Sequence, residues 1–140
     1  MQPGRPSVDR DFRCEVLVVG AGVTGSLAAE HLVAEGHEVC VIDRQRPGLG
    51  STIASTAMLL WEIDRSLSDL TAMYGFERAA NIYRRSFRAV SGLAELVNAH
   101  RLACGMRHKR SLYLAAGKIG ARELKAEHEQ IGRASCRERV

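Results

Sequence analysis

A chain of 140 residues has room for about one domain, and its hydrophobic (46%) and charged (26%) fractions are those of a soluble globular protein. Aromatic residues at 5% are too few to suggest a stacking platform for nucleic acid. No stretch is apolar for long enough to span a membrane, and the formal charge of +4 is modest.

Residues 1–13 carry Pro3, Gly4 and Pro6 among several charges and read as a disordered lead-in. Basic residues before an apolar run are also the layout of a secretory leader. Glu15 interrupts that run, however, and the glycines after it are better explained by a binding turn.

Residues 14–43, CEVLVVGAGVTGSLAAEHLVAEGHEVCVID, read as one β-α-β unit. Glu15 to Val19 is short, β-branched and apolar, which suits a buried parallel strand. Gly20, Gly22 and Gly25 then spell G-x-G-x-x-G. Thr24 to Glu35 has helical patterning, with Gly36 as its stop signal. Val39 to Ile42 is a second apolar strand that ends on Asp43.

Each part of this unit has a physical role. Gly20 lets the chain turn sharply off the strand, Gly22 lets a pyrophosphate approach the backbone, and Gly25 lets helix and strand pack closely. The helix start offers unpaired N–H groups and a partial positive charge to phosphates. Asp43 is placed to accept hydrogen bonds from ribose hydroxyls. A lone G-x-G-x-x-G is weak evidence. Here it follows a strand, opens a helix and precedes a strand ending in an acid, and that combination points to dinucleotide binding.

Arg44 to Gly50 reads as loop, punctuated by Pro47, Gly48 and Gly50. Ser51 or Thr52 is expected to cap a helix from about Ile53 to Trp61. Two readings of this segment stay open: a plain capped helix, or a second helix start brought back toward the same cofactor.

The segments VLVVGAGVTGSLAAEHLVAEGHEVCVID and GSTIASTAMLLWEID resemble the FAD-dependent oxidoreductases of the D-amino-acid oxidase and glycine oxidase type. The resemblance is specific in these two segments and looser from there to about Ala126. It implies an α/β fold: the N-terminal part of a Rossmann-like FAD-binding domain over residues 14–103, then the start of a substrate domain over residues 104–130. It implies that the turn Gly20, Ala21, Gly22, Val23, Thr24 and Gly25, with Asp43 and Arg44, holds the ADP half of FAD. Ser51 and Thr52 would hold the pyrophosphate, and Ser55 and Met58 would lie nearer the isoalloxazine. Family members often have Glu at the position of Asp43, but the shorter acid still reaches a ribose.

Leu67 to Gly75 reads as a short helix and Phe76 to His100 as a longer one. In the longer helix Phe76, Ala79, Ala80, Tyr83, Phe87, Val90, Leu93, Ala94 and Val97 recur at three and four. Arg78, Arg84, Arg85 and Arg88 mostly take the other side, as a solvated face. Ser111 to Ala115 is a strand candidate, which the resemblance assigns to the substrate-domain sheet. Lys118 to Gln130 is polar and favours helix.

Residues 131–140, IGRASCRERV, resemble the translation of a common Illumina sequencing adapter, residue for residue. They are expected to be adapter read-through, and without them half of the excess positive charge disappears. Cys14, Cys40 and Cys104 then remain, with neither metal-ligand spacing nor a disulfide framework. A reducing, cytoplasmic setting is the expectation.

The resemblance implies oxidation of a small-molecule amine, amino acid or hydroxy acid by hydride transfer to FAD, with oxygen or another acceptor taking the electrons. His31, His37, His100 and His108 have no partner spacing that marks a general base, so no catalytic residue is assigned. An NAD(P)-dependent dehydrogenase shares the fingerprint and is the alternative enzyme reading. A non-enzymatic nucleotide-binding module is the third. The GSTIAST segment favours FAD.

Overall fold

The computed structural model describes residues 7–116 and 119–135. Part of the expected lead-in (residues 1–6), Lys118 at the expected start of the last helix, and residues 136–140 of the adapter-like tail lie outside the described residues. Residues 7–13 carry neither helix nor strand. The chain forms two compact units, Met1–Met58 and Leu59–Val140.

In the first unit the apolar run forms strand β1 (Val16–Val19), and the second run forms β2 (Val39–Ile42). They pair in parallel, from Val16 opposite Val39 to Val19 opposite Ile42. A parallel pair needs a crossover, and helix α1 (Val23–Ala34) supplies it. The helix ends as the glycine signal predicts. Gly36 takes a positive φ of 94°, its N–H bonds to Val33 O, and the His37 N–H bonds to Leu32 O. That is the paired Schellman closure. At the open end of the strands, His37 Nδ1 donates to Glu15 Oε1 at 2.6 Å, and the Glu38 N–H bonds to Glu15 Oε2. Among the described residues the sheet has two strands, and Leu17, Val19 and Val41 are exposed on it.

The expected helix from Ile53 to Trp61 does not form. A single 3-10 turn, Ser51–Ala54, stands in its place, with Gly50 rather than a hydroxyl residue at its cap position. The Ser55 Oγ accepts the Ala57 N–H, and Ala57 takes a φ of 56°. This local side-chain bond competes with a helical backbone and diverts it.

In the second unit, helices α2 (Leu67–Tyr74) and α3 (Phe76–Ala99) match the expected pair. Helix α4 (Ala121–Ser135) packs on both. The core is Leu67, Leu70, Ala79, Ala80, Tyr83 and Ala134, with Trp61, Phe76 and Ile131 packed against it. Trp61 meets Tyr83 and Phe87 edge-on, with ring centroids 6.0 Å apart in each pair. The first amides of α2 are all bonded. Glu127 on α4 accepts those of Leu67 and Ser68 at 2.6 and 2.9 Å, and Ser66 accepts that of Asp69 through its Oγ and that of Leu70 through its carbonyl.

Three expectations change in this unit. Arg84 is half-buried rather than solvated, because its Nε donates to Ala134 O and its Nη1 to Asn81. Ser111 to Ala115 forms no strand: a strand needs a partner, and the nearest pairing is an isolated bridge between Ala116 and Ile119. Leu112, Tyr113 and Leu114 are left exposed. Finally, α4 runs past Gln130 into the adapter-like residues. Ile131 and Ala134 meet the core, and the Arg133 guanidinium lies 4.6 Å from the Phe76 ring centre.

Candidate dinucleotide-binding site

The glycine turn joins β1 to α1, and its backbone explains its residues. Gly20 adopts a φ of 109°, a region that penalises any Cβ. The Gly20 N–H bonds to Ile42 O at 2.7 Å, which ties the turn to the end of β2. At Gly25 a Cβ would sit 1.9 Å from Gly20 O, so the helix approaches the turn as closely as backbone allows. At Gly22 a Cβ would come within 3.1 Å of Thr52 Oγ1.

Asp43 reaches across the sheet end to this turn. Its Oδ2 accepts the Ala21 N–H at 2.7 Å, and its Oδ1 accepts the Gln45 N–H at 2.8 Å. These two amides, with a smaller contribution from the Arg44 charge, hold the carboxyl below the usual carboxylate range. The acid is therefore ionised at neutral pH. Each oxygen keeps a second lone pair, so the carboxylate can accept further donors such as sugar hydroxyls.

Thr52 is the other residue drawn in. Its Oγ1 accepts the Val23 N–H, the first amide of α1, at 3.0 Å. It caps a helix, as expected of a hydroxyl in this segment, but the helix is α1 and not one of its own. The Thr24 and Gly25 amides, next in the first turn, have no intrahelical acceptor available to them. A helix start without an acidic residue, beside a glycine with no side chain, has the chemistry of an anion cradle.

The structure thus brings together Gly20, Ala21, Gly22, Val23, Gly25, Asp43 and Thr52. Thr24 lies in the same first turn, exposed. Arg44 and Ser51 are exposed beside Asp43 and Thr52 in sequence. Ser55 is occupied with Ala57, and Met58 is 70% exposed. Gly48 was not anticipated: its N–H bonds to Ala21 O at 3.0 Å. A backbone contact between a loop and a distant turn leaves no residue signature. Among the described residues no group of His, Cys, Asp and Glu is placed to hold a metal.

A family model described as FAD dependent oxidoreductase matches residues 15–140. The chain belongs to this FAD-dependent oxidoreductase family. It is similar to gamma-glutamylputrescine oxidoreductase of Escherichia coli (strain K12), 26% identical over 101 residues, covering 72% of this chain and 24% of that protein. It is similar to kynurenine 3-monooxygenase of Salinispora arenicola (strain CNS-205), 36% identical over 74 residues, covering 53% of this chain and 16% of that protein. It also matches a Bacillus subtilis (strain 168) protein described as a Rieske 2Fe-2S iron-sulfur protein, 24% identical over 127 residues, covering 91% of this chain and 25% of that protein. No solved structure matches at a significant level. The chain spans about a quarter of the length of the Bacillus and Escherichia relatives.

The cofactor of this family, FAD, carries a diphosphate and a ribose.

Proposed function

We propose that the protein carrying this chain oxidises a small amine, amino acid or hydroxy acid, and that the first unit binds the ADP half of FAD. The observation that carries the reading is the contact of Asp43 with Ala21, which sets an ionised acid over the glycine turn. Gly20 and Gly25 shape the turn and Gly22 gives the diphosphate access to it; Val23, whose amide Thr52 holds, opens the helix, and the amides of Thr24 and Gly25 face that charge. Asp43 and Arg44 take the ribose side. Ser51 and Thr52 line the diphosphate, and Ser55 and Met58 lead toward the flavin ring. When bound, the flavin supplies the hydride acceptor, and the protein supplies position and electrostatics.

The likeness to an enzyme named for gamma-glutamylputrescine favours an amine within this substrate class. Residues 104–130 belong, on this reading, to the start of the substrate domain. A reducing, cytoplasmic setting suits the free cysteines Cys14, Cys40 and Cys104.

The test is the cofactor of the full-length protein. It should purify yellow and release FAD, not FMN, on denaturation. A colourless protein that binds NAD and ignores FAD would overturn the proposal. FAD bound without turnover of any amine, amino acid or hydroxy acid would reduce it to a nucleotide-binding module.

A further inference from the structure

The loop from Arg44 to Ser55 has little to hold it in place. Its residues are exposed except Gly48 and Thr52, which are half-buried. Its one regular element is a single 3-10 turn with no side-chain cap. Leu49 and Ile53, its large apolar residues, are exposed.

The two half-buried residues are the two that bond to the glycine turn. Gly48 donates its N–H to Ala21 O at 3.0 Å, and Thr52 Oγ1 accepts the Val23 N–H at 3.0 Å. Thr52 also sits over the bare Cα of Gly22, close enough that a Cβ there would crowd its hydroxyl. Burial, hydrogen bonding and steric fit therefore coincide on the same contact.

We propose that residues 44–55 are a strap closed over the glycine turn before any cofactor arrives, with the Thr52 hydroxyl as its latch. The latch satisfies the first amide of α1 and holds the strap where a diphosphate would be met, so ordering is completed ahead of binding. Only the use of the strap rests on the FAD reading; the latch is a property of the protein alone.

Hydrogen exchange read by mass spectrometry tests it on the full-length protein stripped of nucleotide, comparing wild type, Thr52→Val and Thr52→Ser. Thr52→Val keeps the shape and loses the acceptor. It should raise exchange in peptides covering residues 44–58 and at the start of α1 by about two- to twelvefold, the effect of one neutral hydrogen bond. Peptides of β1, β2 and α3 should not change, and Thr52→Ser should behave as wild type. Equal exchange in wild type and Thr52→Val, whether fast or slow, overturns the latch. A rise spreading through β1 and β2 also overturns it, because Thr52 would then hold the whole unit and not a strap. ADP added to the wild type tests the cofactor reading separately: if it leaves exchange unchanged while Thr52→Val still loosens the strap, the latch stands and the cofactor reading fails.

Discussion

Asp43 and Ala21 are 22 residues apart in sequence, yet the Asp43 carboxylate accepts the Ala21 N–H at 2.7 Å. The contact ties the end of β2 to the middle of the glycine turn. It gives Asp43 two tasks: shaping the turn and presenting a negative charge beside it.

Replacing Asp43 by Ala removes both. FAD affinity of the full-length protein should fall about tenfold or more, as expected when a charge-assisted hydrogen bond is lost. Flavin fluorescence titration measures it. Unchanged affinity would show that Asp43 only closes the strand and the turn.

Of the described glycines in the first unit, Gly25 leaves the least room for a side chain. Gly25→Ala places a Cβ 1.9 Å from Gly20 O, which is backbone and cannot step aside. The cost should be about 3 kcal/mol, as for a severe core overpacking. Gly22→Ala, where the Cβ would meet only the Thr52 hydroxyl at 3.1 Å, should cost clearly less. Urea unfolding followed by far-ultraviolet circular dichroism compares them, and equal losses would contradict the geometry.

The bond between Glu15 and His37 makes an acid-sensitive clasp. The His37 ring, then the Glu38 amide, hold the Glu15 carboxyl below its ordinary value of 4.5. A group whose folded pKa is depressed contributes fully above its unfolded value, and the contribution is lost as pH falls through the folded value. Glu15→Gln should therefore lower the Tm at neutral pH and flatten its fall between about pH 5 and about pH 3. Parallel Tm curves for the two proteins would show that the clasp adds nothing.

Much of this unit was legible because its signals are local. The apolar runs mark β1 and β2, and Gly36 marks the end of α1. In the second unit, α2 (Leu67–Tyr74) falls where the sequence reads a short helix from Leu67 to Gly75. What was not legible depends on partners distant in sequence. Thr52 carries the mark of a helix cap, but nothing in its neighbourhood says that the helix begins at Val23. Ser111 to Ala115 has the composition of a strand and lacks a neighbour to pair with. Arg84 looks solvated until Ala134, 50 residues on, takes its guanidinium.

The 140-residue chain alone should not retain FAD through gel filtration. Among the described residues its sheet has two strands, and Leu17, Val19 and Val41 are exposed on it, whereas parallel sheets are normally covered on both faces. Stoichiometric flavin in the protein peak, together with a cooperative thermal transition, would contradict this.

The match of residues 131–140 to adapter sequence predicts that the source genome does not encode them after Gln130. Sequencing the chromosome across that codon decides it, and the same ten codons in place would refute it. The Glu127 contacts to α2 come from a residue before that codon.

Glu127 caps α2 from 60 residues downstream. During synthesis α2 and α3 leave the ribosome first, with the Ser66 hydroxyl at the start of α2 and without the Glu127 carboxylate. The first two amides of α2 gain their acceptor only once α4 has been made. A nascent chain stalled before Glu127 holds both helices without the carboxylate that finishes the first.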